Sequence, residues 1–354
     1  MHVDFLIIGQ GICGTFLHWY LSKQGYNCAV IDDNKNNSAS RIAAGIINPV
    51  TGRRIVKTWM IDELMPFAIH AYHKMGEELE LIAIEYREII DFFSTPQNRQ
   101  SFYQRLEESQ EFLKIEKNED ILNSFFTNDL GFGKITPAYL VQIGRIITAY
   151  RKKLLSADLI YDQSFDIALL NKNGDHWKYK DIRAGSVIFC DGIQSVRNPY
   201  FNLLPFALNK GEVLYLEIKK LPTNYIYKKG INLVNVGGDT YWAGSSYEWD
   251  FHDDQPSIHF LDKTTSWVKQ WLKIPFQVID HRASIRPATL ERRPFVGFHP
   301  VHQNIGILNG MGTKGCTLAP WFANELTNHI RFNTALNPEA DIRRFNNLLR
   351  RDRV

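Results

Sequence analysis

Only four cysteines occur in the 354 residues, Cys13, Cys28, Cys190 and Cys316, and no two form a C-x-x-C pair. That usage excludes a zinc ribbon and a disulfide framework and matches a chain kept reduced. No apolar run approaches the roughly 18 residues that a spanning helix requires. Residues 5–8 are apolar but too few, and no basic flank precedes them, so no signal peptide is expected. Excess charge is also lacking. A net charge of +3 over this length offers no general argument for nucleic acid or an anionic membrane. Internal repeats, low-complexity tracts and long linkers are absent. What remains is 44% hydrophobic and 22% charged residues, which suits a large buried core in two or three domain-sized units. These features together lead us to expect a cytoplasmic protein, with peripheral membrane contact left open.

The chain opens "VDFLIIGQGICGTFLHWYLSKQGYNCAVIDD" after its first two residues. The apolar run before Gly9 suits a buried parallel strand. Phe16, Leu17, Tyr20 and Leu21 then recur at helical spacing, with Gly25 as a stop, and "NCAVID" predicts a second strand. A G-x-G-x-x-G between a strand and a helix is the context of a dinucleotide fingerprint. Gly9 permits the tight turn, Gly11 lets a pyrophosphate approach the backbone, and Gly14 lets helix and strand pack closely. The helix N-terminus offers unpaired N–H groups to phosphates. Asp32, about 20 residues on, is placed to accept from ribose hydroxyls. The motif alone does not separate NAD from FAD.

Small residues cluster again at Ala43, Ala44 and Gly45, before the turn at Asn48-Pro49. Such a stretch suits a backbone lying against a planar ring, or equally a tight loop with a small-residue helix start. Near the other end, residues 305–308 predict a strand. Gly310, Gly312 and Gly315 form a glycine-rich loop, and residues 319–330 predict a helix with Phe322, Leu326 and Ile330 on one face. This is a second strand–loop–helix unit whose positive end is available to a negative charge. Between these units, residues 60–130 carry helical patterning. In "TPAYLVQIGRIITAY" Thr136 is the expected N-cap and Pro137 the first helical residue, with Leu140, Ile143 and Ile147 on the apolar face. Residues 156–170 and 176–192 predict strands, and residues 205–281 a β-rich stretch with a hairpin turn at Gly237 to Asp239. The basic tail "RRFNNLLRRDRV" is expected as a solvated helix face, with nucleic acid or anionic lipid as the alternative.

Taken in order, "GQGICG" with Asp32, "SRIAAG", "RPAT", "PFVG" and "GMGTKGCTLAP" resemble the flavoproteins of the D-amino acid oxidase group. Glycine oxidase, sarcosine oxidase and the oxidase domain of the tRNA methylaminomethyl-uridine enzyme belong to that group. The resemblance is strong at both ends and loose in the middle. It implies an α/β fold, a Rossmann-like FAD-binding domain with a discontinuous α+β substrate domain containing an antiparallel sheet. The expected division is 1–59, 131–204 and 284–354 for the first domain and 60–130 and 205–283 for the second. It also implies noncovalent FAD, since no cysteine stands at the sarcosine-oxidase attachment position. The cofactor-binding positions carried over are Gly9, Gly11, Ile12, Cys13, Gly14, Asp32, Asp33, Arg41, Ala43, Ala44, Gly45, Ile46 and Asn48. Phe165, Cys190, Gly192, Gly312, Thr313, Lys314, Gly315, Cys316 and Thr317 complete that set.

The implied chemistry is oxidation of the C–N bond of a small amine or amino acid by hydride transfer to flavin N5, followed by hydrolysis of the imine. Arg286 matches the arginine that holds the substrate carboxylate through paired charge-assisted bonds. Lys314, in the C-terminal loop, is placed to stabilise reduced flavin or to assist oxygen reduction. Tyr247 matches a pocket-lining position. Two departures put small amino acids such as glycine in doubt: Asn232 stands where the group has a carboxylate-binding tyrosine, and Thr313 where glycine oxidase has an arginine. The alternatives are a free-standing tRNA-modification oxidase and a non-catalytic FAD-binding protein.

Overall fold

The computed structural model describes residues 1–52, 54–115 and 120–351. The opening strand His2–Ile8 is sandwiched on both faces. Phe5 and Ile7 join one core cluster, while Leu6 and Ile8 join another. That explains its unbroken apolar run. It pairs in parallel with Cys28–Asp32 on one side and Ile182–Phe189 on the other. Ile160–Asp162 and Ile305–Asn309 extend this parallel core outward. The two glycine loops therefore leave the same ends of two strands that flank Ile182–Phe189. The helices that follow them, Ile12–Lys23 and Gly315–Phe332, bury Phe16, Leu17, Phe322 and Leu326 in one cluster.

The second sheet is mostly antiparallel. Its order is Gln277–Arg286, Asn209–Glu217, Thr240–Gly244, Ile231–Gly237, Tyr225–Lys229, Ile84–Phe92, Phe132–Val141 and Ile46–Ile47. Alternation along these strands separates two faces. Ile89, Ile226, Val234, Trp242 and Val213 join the cluster that contains the first and last long helices. Ile90, Tyr227, Leu233, Tyr241 and Leu214 face the other way, onto Trp271 of helix Ile258–Trp271. The inner face of the second sheet thus shares a core with the first unit. By sheet membership, we propose that residues 132–141 group with the second unit.

Several sequence expectations change. Thr136 and Pro137 do not start a helix. They lie in the strand Phe132–Val141, joined by a cis peptide bond, and the helix begins at Ile143 after Gln142. Arg87 pairs with Ala138 and Ile89 with Ile135, so Glu88 opposes both Thr136 and Pro137 across a bulge. A proline there removes no ladder bond. The capping signature is genuine at another Thr-Pro, where Thr95 Oγ1 accepts from Asn98 N at 3.1 Å and Pro96 opens helix Pro96–Glu108. Residues 60–130 also contain the strand Ile84–Phe92, and the β-rich stretch contains helix Ile258–Trp271. Ile167–Leu169 is a single 3-10 turn between strands rather than strand. In the tail, Arg343 and Arg344 are paired with Asp341 and Glu291, and residues 352–354 lie outside the described residues. Among the described residues no helix is long and apolar enough to cross a membrane.

Gly45 joins the two units. Its φ is +88°, Val141 N donates to its carbonyl at 2.8 Å, and a Cβ would sit 2.0 Å from Val141 O. Gly25 has a similar φ of +83° but open space around it. Gly25→Ala should therefore cost about 1 kcal/mol, from backbone strain alone. Gly45→Ala should cost on the order of 3 kcal/mol or more, because the clash adds to the strain. Urea unfolding of both variants measures the gap; equal losses would contradict this account.

Candidate active site

The three glycines of the first loop do different work. Gly9 has a φ of +99°, and a Cβ there would lie 2.5 Å from Cys190 O; at Gly14 it would lie 1.9 Å from Gly9 O. Both serve backbone packing. Gly11 has no such neighbour: its Cβ would meet only Ser40, with Oγ at 3.1 Å. No backbone atom crowds that position, so the one neighbour is a serine side chain. Ile12 N donates to Ser40 Oγ at 3.0 Å, while the N-cap residue, Gly11, has no side chain to cap the helix. Cys13 packs into the core, where burial pushes its thiol up to about 12. It therefore offers a ligand backbone rather than sulfur.

Asp32 closes the second strand with its carboxylate already oriented. Oδ2 accepts from Gln10 N at 2.8 Å, and Oδ1 from Asn34 N at 2.9 Å and Arg151 Nη1 at 2.7 Å. Arg151, buried on helix Ile143–Ser156, also donates to Asp32 O and pairs with Asp162. Asp33 accepts from Ser164 Oγ at 2.8 Å, which brings Phe165, stacked on Tyr179 at 4.8 Å, to the same end of the strand. Arg41 donates to Asn34 Oδ1 at 2.5 Å. The ribose-side residues expected from the sequence are thus gathered at one place.

The small-residue segment runs between the two units and is held from both. Ser40 meets the first helix, Trp242 Nε1 of the second sheet donates to Ile42 O at 2.9 Å, and Ile46 and Ile47 pair with Leu140 and Tyr139. Ala43 and Ala44 are left partly exposed between these anchors. The C-terminal loop meets it from the far side. Lys314 Nζ donates to Asn48 O and Thr58 Oγ1, each at 3.4 Å. Gly312 has a φ of +54°, and a Cβ on Gly315 would lie 3.6 Å from Ile12 Cγ2, so the starts of the two long helices abut. Thr313 is exposed, while Cys316 and Thr317 are buried. Burial pushes Cys316 up to about 12, which leaves it a thiol and a poor nucleophile. Lys314 is lowered to about 8 by burial and by the nearby charge of Lys228. Below Gly192, Asn309 Nδ2 donates to Gly192 O at 2.8 Å and Ser195 Oγ at 2.9 Å. Burial pushes Asp191, next to Cys190, up to about 6.

Arg286 ends strand Gln277–Arg286 on the inner face. Nη1 donates to Asn209 Oδ1 at 2.5 Å, and Nη2 to Ser245 Oγ at 2.6 Å and Ser246 O at 3.3 Å. All three acceptors are neutral, and Arg286 forms no ion pair with any described residue. Its guanidinium lies against Gly211, where a Cβ would be 1.8 Å from Nη2. Burial lowers its pKa, against the opposing influence of Tyr247 and Glu248. Tyr247 covers it with its ring centroid 5.5 Å away, yet is itself 51% exposed and stacks edge-on with exposed Trp249. Tyr247 therefore stands at the mouth of the site rather than in its wall.

Residues not anticipated from sequence include Asn209, Gly211, Ser245 and Ser246 around the guanidinium, Ser40 at the first helix, and Arg151 behind Asp32. Arg151 carried a signal: a charge on the same helical stripe as Ile143, Ile147 and Leu154. Asn209, Gly211, Ser245 and Ser246 carried none, because the folding of the second sheet alone brings them to Arg286. Among the described residues no cluster of His, Cys, Asp or Glu is arranged to hold a metal.

These residues fit a flavin dinucleotide: an open cradle at Gly11, an oriented acid at Asp32, and two loops facing each other at Asn48 and Lys314. The cradle separates the glycines by experiment. Gly11→Ala should leave apoprotein stability within about 0.5 kcal/mol while flavin content after purification falls tenfold or more. Gly14→Ala should lower stability itself. Flavin absorbance and apoprotein melting, measured on both variants, test the distinction.

Comparison with known proteins agrees with this architecture. A family model described as FAD dependent oxidoreductase, DAO, matches residues 4–329. Glycine oxidase of Bacillus subtilis (strain 168) is 23% identical over 351 residues, covering 90% of each chain. The crystal structure of glycine oxidase from Geobacillus kaustophilus superposes with a TM-score of 0.80 at 15% identity, over 96% of this chain and 98% of the other. L-proline dehydrogenase from P. horikoshii superposes with a TM-score of 0.78 at 15% identity, over 98% of each. With the glycine cradle, the paired strand–loop–helix units and this match along nearly the whole length, the chain belongs to the DAO family of FAD-dependent oxidoreductases.

Proposed function

We propose that this FAD-dependent oxidoreductase oxidises the C–N bond of a small amine or amino acid that carries a carboxylate. The observation behind this reading is Arg286, a half-buried cation on the inner face of the second sheet whose described partners are all neutral. A guanidinium withdrawn from water with no carboxylate in contact is a poor arrangement for stability, and a good one for receiving a carboxylate. Asn209 and Ser245 hold it in one orientation, and its Nε–H and remaining Nη1–H donate to no described residue.

Bound FAD supplies the acceptor for the hydride leaving the substrate's α carbon. The chain's own groups orient and polarise. Arg286 fixes the carboxylate, which leaves the amine and the α carbon to turn toward the segment around Asn48. Tyr247 shields the guanidinium from water, strengthening its hold on an anion. Lys314, on the opposite side, carries a proton on Nζ below about pH 8 and stabilises negative charge there. Noncovalent binding is consistent with thiols that burial keeps protonated.

Anaerobic mixing with a panel of amines and amino acids tests the reading directly. Loss of oxidised-flavin absorbance with carboxylated amines is expected, and no bleaching by any of them would reject it. Arg286→Ala should weaken substrate binding by on the order of 2–5 kcal/mol with flavin retained; an unchanged KM would argue against the assignment. The Lys314 cation is present below about pH 8 and lost above it. Affinity of the loaded protein for a carboxylate ligand should therefore fall as pH rises through that value. Lys314→Met should flatten the profile, and a profile unaffected by the substitution would remove Lys314 from the site.

A further inference from the structure

A row of inner-face residues crosses the second sheet beside this site. Strand pairing sets Asp91 against Lys228, Lys228 against Asn232, and Asn232 against Gly244, whose successor Ser245 holds Arg286. All belong to the inner face by alternation: Ile89, Ile226, Val234 and Trp242, two positions away on their strands, bury into the core shared with the first unit. Residues of this row break the apolar surface with polar groups. Asp91 is buried, and its Oδ2 accepts from Lys228 Nζ at 2.8 Å. The Lys228 side chain is 25% exposed, and its other N–H groups donate to no described residue. Asn232 is partly exposed, with no hydrogen bond from its side chain to any described residue. Lys228 is also near enough to Lys314 for the two charges to act on each other.

Lys228 and Lys314 thus lie near one another, with Arg286 held beside Ser245 farther along the same inner face, and Asp91 is the only carboxylate in the row. Two strand spacings separate Lys228 from Ser245, on the order of 10 Å. That span matches a ligand with an acidic group at each end and an amine between. We propose that Lys228, oriented by Asp91, forms a second anion subsite opposite Arg286, so that the substrate class is a dicarboxylic amine. This deepens the preceding assignment and rests on it for the reaction, though not for the binding. Asp91 holds the ammonium in place through its hydrogen bond, while Asn232, shorter than a tyrosine, leaves room between the two cations.

The FAD-loaded wild-type protein decides the matter without turnover. Glutarate and butyrate, which have one and the same carboxylate in common and cannot be oxidised as amines, are titrated against the absorbance of the bound flavin. Glutarate should bind at least tenfold more tightly. In Lys228→Met combined with Asp91→Asn, which leaves no buried carboxylate unpaired, that preference should collapse. Lys228→Arg should restore part of it. The kcat/KM ratio for glutamate or N-carboxymethylglycine over alanine or N-methylglycine should fall by a similar factor in the double variant. Equal binding of glutarate and butyrate by the wild type, or a preference that survives the double variant, would overturn the subsite. Selective glutarate binding without bleaching by any amine would instead reject the oxidation while the subsite stands. Bleaching by monocarboxylic amines with no glutarate preference would do the reverse.

Discussion

The contact between Gly45 and Val141 is the constraint on which the site depends. The peptide at Gly45 approaches Val141, at the end of strand Phe132–Val141 of the second sheet, so closely that only a missing side chain permits it. From there the chain can turn back along Asn48 while keeping Ala43 and Ala44 exposed between the two units. Ser40, a few residues before, reaches the start of the first helix, and Trp242 pins Ile42 from the sheet. One short segment thus positions the first glycine loop, the small-residue stretch at Ala43 and Ala44 and the inner face of the second sheet relative to one another. Such a segment tolerates little freedom, because several backbone hydrogen bonds and one steric limit all act within about two turns of chain.

Burial of charge is the second theme. Arg151 is deeply buried, but Asp32 and Asp162 compensate it, so it serves to orient the acid. Lys228 is compensated by Asp91 and still reaches solvent. Arg286 has neutral partners only. These three states have different energetic meanings. A fully paired buried cation is structural, whereas one left with neutral acceptors holds a standing electrostatic deficit that an anionic ligand relieves. The lowered Lys314 belongs with the second kind, since its contacts are a carbonyl and a hydroxyl. The site is thereby prepared for negative charge before any ligand arrives.

Legibility followed locality. The strand–glycine–helix units at both ends were readable because turn, helix start and strand lie within a few dozen residues, and each glycine has a local steric reason. The middle was harder. Thr95-Pro96 and Thr136-Pro137 are the same dipeptide, yet the first caps a helix and the second sits on a bulge in a strand. Nothing local distinguishes them; pairing of Phe132–Val141 with Ile84–Phe92 does. That strand in turn was hidden because Glu85, Arg87, Glu88 and Asp91 interrupt its apolar pattern, and two of these charges find their ion-pair partners across the sheet, Glu88 with Lys134 and Asp91 with Lys228.

By itself the sequence determined the dinucleotide-binding architecture, the acid at Asp32 and the candidacy of Arg286 and Lys314. Short-range sterics and the demands of a pyrophosphate on backbone restrict the glycine-loop positions to few residue types, while Arg286 was named by its place in a motif resembling that of the D-amino acid oxidase group and Lys314 by its place in the C-terminal glycine loop. Only the tertiary structure decided what surrounds them. It set Asn209, Ser245 and Gly211 around Arg286, moved Tyr247 to the rim, and paired Lys228 with Asp91 on the inner face of the same sheet. These residues are separated by tens to hundreds of positions. Cross-strand register and the packing of one sheet face against the first unit, both long-range hydrophobic choices, are what place them together.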